Sequence, residues 1–256
     1  NITPRTFDDV RGLVSNLPMA DAEALSAARD RESKLTKPAG ALGRLEDLAA
    51  WLSAWQGRHP PQLEHAQALV FAGNHGVTAQ GISAFPAEVT VQMVNNFAAG
   101  GAAINQLARA YGADLEVIPL DLDRPTADFT AAPAMSEEEC MVAFAAGGGA
   151  VRTNSDIVLV GEMGIGNTTS AAALCRLLLD GTSADWAGPG TGLDAAGIVR
   201  KIEVIDLAVE LHDADAIDPL ESLRRVGGRE LAAIGGAVLA ARFTRAPVIL
   251  DGYVAT

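Results

Sequence analysis

Residues with the types and spacing to do chemistry are concentrated in GEMGIGNTTSAAAL, residues 161–174. The apolar run DIVLV just before this segment predicts a buried strand, and the alanine-rich run after its glycines predicts a helix. Because the free backbone N–H groups at a helix N-terminus favour negative charge, we predict that this turn binds a phosphate. The predicted phosphate-binding residues are Gly164, Gly166, Asn167, Thr168 and Thr169, with Glu162 beside them.

Two other interpretations of this turn stay open. Gly161 and Gly166 have the G-x-x-x-x-G spacing of a P-loop, but Asn167 stands where the lysine that reaches the β- and γ-phosphates belongs. Asp251, at the end of a later apolar segment, could be the acidic partner of a nucleoside triphosphatase, so a P-loop-like enzyme is an alternative. Alternatively, the glycines form the turn without binding a ligand, and the Asn-Thr-Thr triplet caps the helix. A dinucleotide fingerprint fits less well, since a threonine replaces its third glycine.

Two further segments could contribute to the same site. GPGTGLD, residues 188–194, precedes a helical segment that carries Arg200 and Lys201. Taken alone this is a loop followed by a solvated basic helix face, whereas beside a phosphate turn Lys201 is a candidate counter-charge. FAGNHGV, residues 71–77, places polar residues at the end of a strand, where open α/β sheets form their binding sites. The supporting residues predicted from these segments are Asn74, His75, Gly190 and Asp194.

Four apolar segments predict the strands that must carry these residues: AQALVFAG, DLEVIPLDL, DIVLV and APVILDG. Helical patterns lie between them, including one at residues 136–151 that opens with a Ser-x-x-Glu capping box. Strands that alternate with helices of this length predict an α/β fold. We expect a mostly parallel sheet with helices on both faces, in a Rossmann-like three-layer arrangement.

The start of the chain differs from the rest, because two amphipathic helical patterns precede a Pro-Pro break at residues 60–61. We therefore predict a small helical subdomain at residues 1–60 and an α/β domain at residues 61–256. The chain stops just after the last predicted strand, without the helix that normally covers a parallel strand. We expect the natural protein to continue past Thr256, so that the α/β domain is truncated here.

The charge balance narrows the class of partner. The 256-residue chain has 19 Lys and Arg against 32 Asp and Glu, a formal net charge of −13, which disfavours nucleic acid. No apolar run reaches the roughly 18 residues of a membrane span, and the N-terminus lacks a secretory signal. We predict no membrane contact and a cytoplasmic location. Cys140 and Cys175 are predicted to be reduced thiols, and no metal-ligand spacing is present, so no metal is predicted.

Five motifs taken in order resemble one family. KPAGALGRLE, HGV…PAEVT, GEMGIGNTT, GPGTGLD and VILDGY follow one another over nearly the whole chain. Together they resemble the nicotinate-nucleotide–dimethylbenzimidazole phosphoribosyltransferase family of cobalamin biosynthesis. The resemblance implies transfer of ribose 5-phosphate from nicotinate mononucleotide to 5,6-dimethylbenzimidazole or a related base. The products are nicotinate and α-ribazole 5′-phosphate, and no cofactor is needed.

The resemblance also implies roles for individual residues. Glu162 matches a glutamate near the ribose, and Lys201 matches a lysine that reaches the phosphate. The wall of the benzimidazole pocket is matched by Phe85, Pro86 and Met93. Some family members carry polar residues at the first and last of these positions. An aspartate commonly precedes the histidine of HGV in the family, whereas this chain has an asparagine there.

The family's general base and its subunit state are implied in the same way. The base is a glutamate C-terminal to every residue of this chain, so the resemblance places it beyond Thr256. Family members generally pair as homodimers whose N-terminal helices reach toward the partner's site. The apolar stripe in LEDLAAWLSAW is compatible with that pairing and equally with packing inside one chain. A non-catalytic or degenerate homologue that binds nucleotides or benzimidazoles stays open as an alternative.

Overall fold

A computed structural model describes residues 4–256, so the first three residues of the predicted N-terminal subdomain lie outside the described range. The strands, all parallel, are β1 Ala66–Ala72, β2 Asp114–Pro119, β3 Ile157–Met163 and β4 Val248–Leu250. Their order in the sheet is β2-β1-β3-β4, which places β1 and β3 at the centre. Each strand overlaps a segment predicted from the sequence, and the α/β class with a parallel sheet is confirmed.

Eleven α-helices accompany the sheet in the described part of the chain. They are α1 Phe7–Val14, α2 Ala22–Ser33, α3 Arg44–Gln56, α4 Glu88–Ala98, α5 Ala103–Tyr111, α6 Glu137–Ala150, α7 Asn167–Leu178, α8 Ser183–Trp186, α9 Ala195–His212, α10 Pro219–Val226 and α11 Arg229–Phe243. The segment predicted as one or two helices is two, because Gly100, with a φ of +79°, follows the end of α4. Helix α10 was not predicted from the sequence, although Asp218 and Pro219 are a typical N-cap and first helical residue.

The register of the sheet brings the carboxyl ends of the two central strands to the same level. Ala72 of β1 pairs with Met163 of β3. The residues that follow them, Gly73 and Gly164, are in backbone contact, since a Cβ on Gly164 would lie 2.7 Å from the Gly73 carbonyl oxygen. The loops after β1 and β3 therefore start side by side, at the edge where parallel sheets form their binding sites.

Helices α6 and α11 pack closely enough for their backbones to touch. A Cβ on Gly147 of α6 would lie 1.8 Å from the Ala233 carbonyl oxygen, and one on Gly236 of α11 would lie 1.9 Å from the Phe144 carbonyl oxygen. No side chain fits at those distances, so these glycines are there for close packing. The contact fixes α11, whose first turn lies behind the candidate site described below.

Replacing Gly147 with alanine is expected to lower the free energy of unfolding by about 3 kcal/mol, because the added methyl group must push the two helices apart. Thermal denaturation should show the midpoint falling by roughly 6–12 °C. Gly149 of the same helix is a matched control, since it is exposed and has open space around a Cβ. Gly149→Ala should be neutral or slightly stabilising. Equal losses for the two variants would contradict the backbone contact.

Of the N-terminal helices, α1 packs into the main hydrophobic core. Phe7 and Val10 of α1 are buried in a cluster that includes residues of α6, α7, α9 and α10. The division of the chain near residue 60 stays a prediction.

Cys140 and Cys175 are both free, and burial raises the pKa of the Cys140 thiol to about 12. Within residues 4–256, no helix has the length and hydropathy of a membrane span.

Candidate active site

The turn between β3 and α7 has a conformation that only its glycines allow. Gly166 is the N-cap of α7 with a φ of +95°, and a Cβ there would lie 2.8 Å from Thr78 Cγ2. The preceding residue, Ile165, donates its backbone N–H to Thr90 Oγ1 of α4 at 3.2 Å. The predicted strand–turn–helix is therefore present, in contact with the segment after β1 and hydrogen-bonded to α4.

The two glycine clusters singled out in the sequence meet at one narrow cleft. Its lining residues are Ile82, Ser83, Gly164, Ile165, Gly166, Asn167, Thr168, Pro189, Gly190, Thr191 and Leu193. Asp194 is the N-cap of α9 and accepts a hydrogen bond from the Gly197 N–H at 2.8 Å, which fixes the end of the 188–194 loop. The first turn of α7 thus faces a loop that was predicted as a separate feature.

Lys201 of α9 lies next to this cleft, in contact with the lining residue Thr168. Its side chain is buried, and its Nζ donates hydrogen bonds to Thr168 Oγ1 at 2.8 Å and to the Gly188 carbonyl oxygen at 3.3 Å. Among the described residues these contacts use two of the three ammonium N–H groups, which leaves one for an anion. A Cβ on Gly190 would lie 3.1 Å from Thr168 Oγ1 and 3.8 Å from Nζ, so the loop also closes on the ammonium. Burial lowers the pKa of Lys201 to about 8.

Glu162 lies near the end of β3, where Asn167 Nδ2 donates a hydrogen bond to its Oε2. Burial raises the pKa of Glu162, and the negative charge of Glu230 raises it further, against smaller opposing effects of Asn167 and His75. The Asn167 side chain is therefore engaged with a carboxyl group, and its predicted contact with phosphate stays a prediction. A carboxyl group in this setting combines low solvent contact with a fixed orientation.

Thr169 lies deeper in the protein than Thr168. Its side chain is fully buried, and its backbone N–H donates to the Gly166 carbonyl oxygen at 3.0 Å. Thr169 is not among the residues that line the cleft, and its predicted contact with phosphate stays a prediction. Thr168, the preceding residue, lines the cleft instead.

The two polar residues after β1 lie inside the protein. Asn74 is buried and donates from Nδ2 to the Leu122 carbonyl oxygen at 3.0 Å, so it holds the segment after β2. His75 is also buried, with Nε2 2.5 Å from Glu230 Oε1 and Nδ1 3.0 Å from Ser170 Oγ. Sequence reasoning missed Glu230. The available signal was an acidic residue in RELAAIGGAVLAA, a helix whose other residues are mostly small and apolar.

The residues predicted to contact the benzimidazole lie beside the cleft. Phe85 and Pro86 are exposed in the loop before α4, and Met93 is half-buried on that helix. The Phe85 N–H donates to Ser83 Oγ at 3.2 Å, and Ser83 lines the cleft. Since Thr90 of the same helix holds the phosphate turn, this segment borders the candidate site. Its exposed aromatic ring is available to a flat apolar ligand.

A family model, curated relatives and a solved structure all match this chain and agree with one another. A family model described as phosphoribosyltransferase matches residues 17–256. The chain is 59% identical over 242 residues to the nicotinate-nucleotide–dimethylbenzimidazole phosphoribosyltransferase of Novosphingobium aromaticivorans, covering 94% of this chain and 71% of the relative. It is 55% identical over 250 residues to the protein of the same name from Rhizobium meliloti, covering 98% and 74%. The crystal structure of such a protein from Thermus thermophilus superposes with a TM-score of 0.82 at 38% identity, over 92% of this chain and 75% of that one.

Proposed function

This chain belongs to the nicotinate-nucleotide–dimethylbenzimidazole phosphoribosyltransferase family, and we propose which of its residues carry the family's reaction. The reaction transfers ribose 5-phosphate from nicotinate mononucleotide to 5,6-dimethylbenzimidazole, for the lower ligand of cobalamin. One observation supports the assignment most directly. A buried ammonium, that of Lys201, meets Thr168 at the start of α7, and Glu162 lies at the end of the preceding strand.

The donor's phosphate is proposed to bind in the cleft between the first turn of α7 and the 188–194 loop. Backbone N–H groups near the N-terminus of α7 and the Thr168 hydroxyl would donate to its oxygens. The Lys201 ammonium would supply the counter-charge through its remaining N–H group. A single monoester phosphate suits a site with one buried cation, whereas a triphosphate would bring several more negative charges than this cleft can neutralise.

Glu162 is proposed to act at the ribose. As the C1′–N bond of nicotinate mononucleotide breaks, its electron pair neutralises the pyridinium nitrogen, and positive charge develops on the ribose. The Glu162 carboxylate would stabilise that charge, which exists only in the transition state. A ring nitrogen of dimethylbenzimidazole then forms the new C1′–N bond from the opposite face, and the acceptor's N–H proton is released. Attack from that face converts the β-riboside to an α-riboside.

The acceptor is proposed to bind against Phe85, Pro86 and Met93, which border the cleft. Two of the three are exposed, so a flat base could cover apolar surface there. We also propose a cytoplasmic homodimer. Leu45, Leu48 and Trp51 of α3 are 62%, 40% and 42% exposed at three-residue spacing, an apolar stripe that a second copy could cover.

Product formation tests the proposed function. Nicotinate and α-ribazole 5′-phosphate should accumulate when the natural protein, including the segment past Thr256 that the resemblance implies, is incubated with nicotinate mononucleotide and dimethylbenzimidazole. The reaction should show saturation kinetics and proceed without magnesium. Tight, magnesium-dependent binding of ATP with no transfer would instead favour the P-loop-like alternative. Binding of nicotinate mononucleotide without turnover would favour a non-catalytic homologue. Neither alternative has support from the comparisons.

The pH dependence of donor binding follows from the burial of Lys201. In the free protein its pKa is about 8, so the ammonium loses its charge as the pH rises above that value. We expect kcat/KM for nicotinate mononucleotide to fall on the alkaline side from about pH 8. Lys201→Arg should work less well at neutral pH but lose this alkaline limb, because a guanidinium stays charged. An unchanged alkaline limb in the arginine variant would assign it to another group.

A further inference from the structure

Glu230 is a carboxylate that the fold encloses completely. It lies in the first turn of α11 with no exposed surface, and its Oε1 is 2.5 Å from His75 Nε2. Its other oxygen, Oε2, is buried without a hydrogen-bond partner among the described residues. Because a buried carboxylate with an unsatisfied oxygen is costly, its presence needs a reason beyond packing.

Three glycines make room for this carboxylate. A Cβ on Gly73 would lie 2.2 Å from Glu230 Oε2, one on Gly228 would lie 2.9 Å from Oε2, and one on Gly164 would lie 3.3 Å from Oε1. These glycines follow β1, precede α11 and follow β3, respectively. The backbone is thus shaped around the Glu230 side chain from three separate elements. Gly164, predicted from the sequence as a phosphate ligand, also belongs to this enclosure.

A hydrogen-bond chain leads from Glu230 to the phosphate turn. His75 contacts Glu230 with one ring nitrogen and Ser170 Oγ with the other, the second distance being 3.0 Å. Ser170 lies in the first turn of α7, and its hydroxyl is also 3.3 Å from the Gly227 carbonyl oxygen, just before α11. The starts of α7 and α11 are therefore tied together through one imidazole ring.

We propose that Glu230 and His75 are positioning residues for the transfer reaction, which hold the first turn of α7 and Glu162 in the geometry that the donor requires. This inference rests on the proposed function, because it assigns the donor to that turn. Two observations support it. The chain Glu230–His75–Ser170 ends one turn inside the helix that carries Thr168, and the Glu230 charge adds to the burial that raises the pKa of Glu162.

A serine, a histidine and a carboxylate also form the catalytic triad of many hydrolases. These three residues cannot perform that chemistry here. Ser170 has no exposed surface, and both His75 and Glu230 are enclosed around it. A nucleophile must reach a substrate, and no substrate atom can approach this hydroxyl. The hydrogen-bonded series Glu230–His75–Ser170 can therefore affect the reaction only through the residues whose positions it fixes.

The groups that face Glu162 influence its pKa, which the acid limb of the kcat profile should report. They are Glu230 from α11, His75 after β1 and Asn167 from α7. Glu230→Gln keeps the shape of the side chain and removes its charge, so the pKa of Glu162 should fall. We expect the acid limb of the kcat profile to move to lower pH, because the neighbouring negative charge that raises this pKa is gone. The kcat at its optimum should drop about 10- to 100-fold, because the α7 turn is less firmly placed.

Ser170→Ala tests the link to α7 without touching any charge. It should lower kcat/KM for nicotinate mononucleotide about tenfold and leave the acid limb in place. Ser222→Ala is the matched control, since Ser222 is also fully buried and bonds a backbone carbonyl, that of Asp218, away from the site. It should leave the kinetics unchanged. Asp156→Asn removes another buried carboxylate, one that accepts from the Glu64 and His65 N–H groups. It should lower thermal stability without moving the acid limb.

The outcomes separate this inference from the proposed function. If the natural protein, including the segment past Thr256, forms no α-ribazole 5′-phosphate, both fail. If it is active and Glu230→Gln keeps the wild-type kcat and acid limb, the positioning role is overturned while the function stands. Should Glu230→Gln not fold, Ser170→Ala decides alone, with wild-type kinetics overturning the proposal and a tenfold loss supporting it.

Discussion

Glu162→Gln is expected to lower kcat for ribosyl transfer about 100- to 1,000-fold, with KM for nicotinate mononucleotide within a few-fold of the unmodified protein. The amide has nearly the shape of the carboxylate but cannot neutralise positive charge on the ribose. Because that charge appears only as the bond to nicotinate breaks, the loss should fall on kcat and not on binding. Steady-state rates of nicotinate release, measured at saturating acceptor, report both constants.

Two controls accompany this variant. Glu203→Gln removes a carboxylate from the exposed side of α9 and should leave both constants unchanged. The pH profile of the unmodified protein should show activity falling on the acid side through a pKa above the ordinary glutamate value, since burial and Glu230 raise that of Glu162. Glu162→Gln should lack this limb. Wild-type turnover by the variant would mean that the glutamate only supports the Asn167 side chain.

The strands could be predicted because parallel strands that are covered on both faces appear as continuous apolar runs. Glycine was harder to interpret, because it has two opposite roles in this chain. Gly100 follows the end of α4, whereas Gly147 and Gly236 stay within helices and allow them to touch. Local sequence cannot separate these roles, since the second depends on a partner helix elsewhere in the chain. The short helix α10 was missed for a related reason, as eight residues give too little periodicity to recognise.

The site could be predicted where its chemistry is local. The turn proposed to bind phosphate was recognised from glycines, a preceding strand and a following helix, all within one segment. Thr168 and Thr169 could not be separated, because successive helical residues point about 100° apart and only the fold decides which one faces a ligand. Glu230 was missed because it meets His75 across 155 positions of sequence. A contact of that range leaves no local pattern.

Lys201→Met is expected to raise KM for nicotinate mononucleotide about 10- to 100-fold, with a smaller effect on kcat. The substitution removes a charged hydrogen bond to the phosphate, a contact of about 1.5–3 kcal/mol. It keeps most of the volume of the side chain, so the cleft should not collapse. Inhibition by inorganic phosphate or ribose 5-phosphate should weaken in parallel, whereas saturation by the acceptor should not change.

The same variant should be more stable than the unmodified protein when no ligand is bound. Burial lowers the pKa of Lys201 from 10.5 to about 8, which corresponds to a cost of about 3 kcal/mol for keeping the ammonium charged in the folded state. The cost is complete below pH 8 and vanishes as the pH rises toward 10.5, where the unfolded chain also loses the proton. Lys201→Met should therefore raise the thermal midpoint at pH 7 and lose that advantage in alkaline solution.

Arg200 provides the matched comparison, because the sequence presents it and Lys201 as one basic pair at the start of a helix. Arg200 is exposed and Lys201 is buried against Thr168, so only Lys201 should respond strongly to the same substitution. Arg200→Met should leave both KM and the pH 7 midpoint nearly unchanged. An unchanged KM for Lys201→Met would remove the ammonium from the phosphate site, and a lower midpoint would make it a structural residue. Higher stability together with weaker donor binding is the combination expected only of a charge kept buried for a ligand.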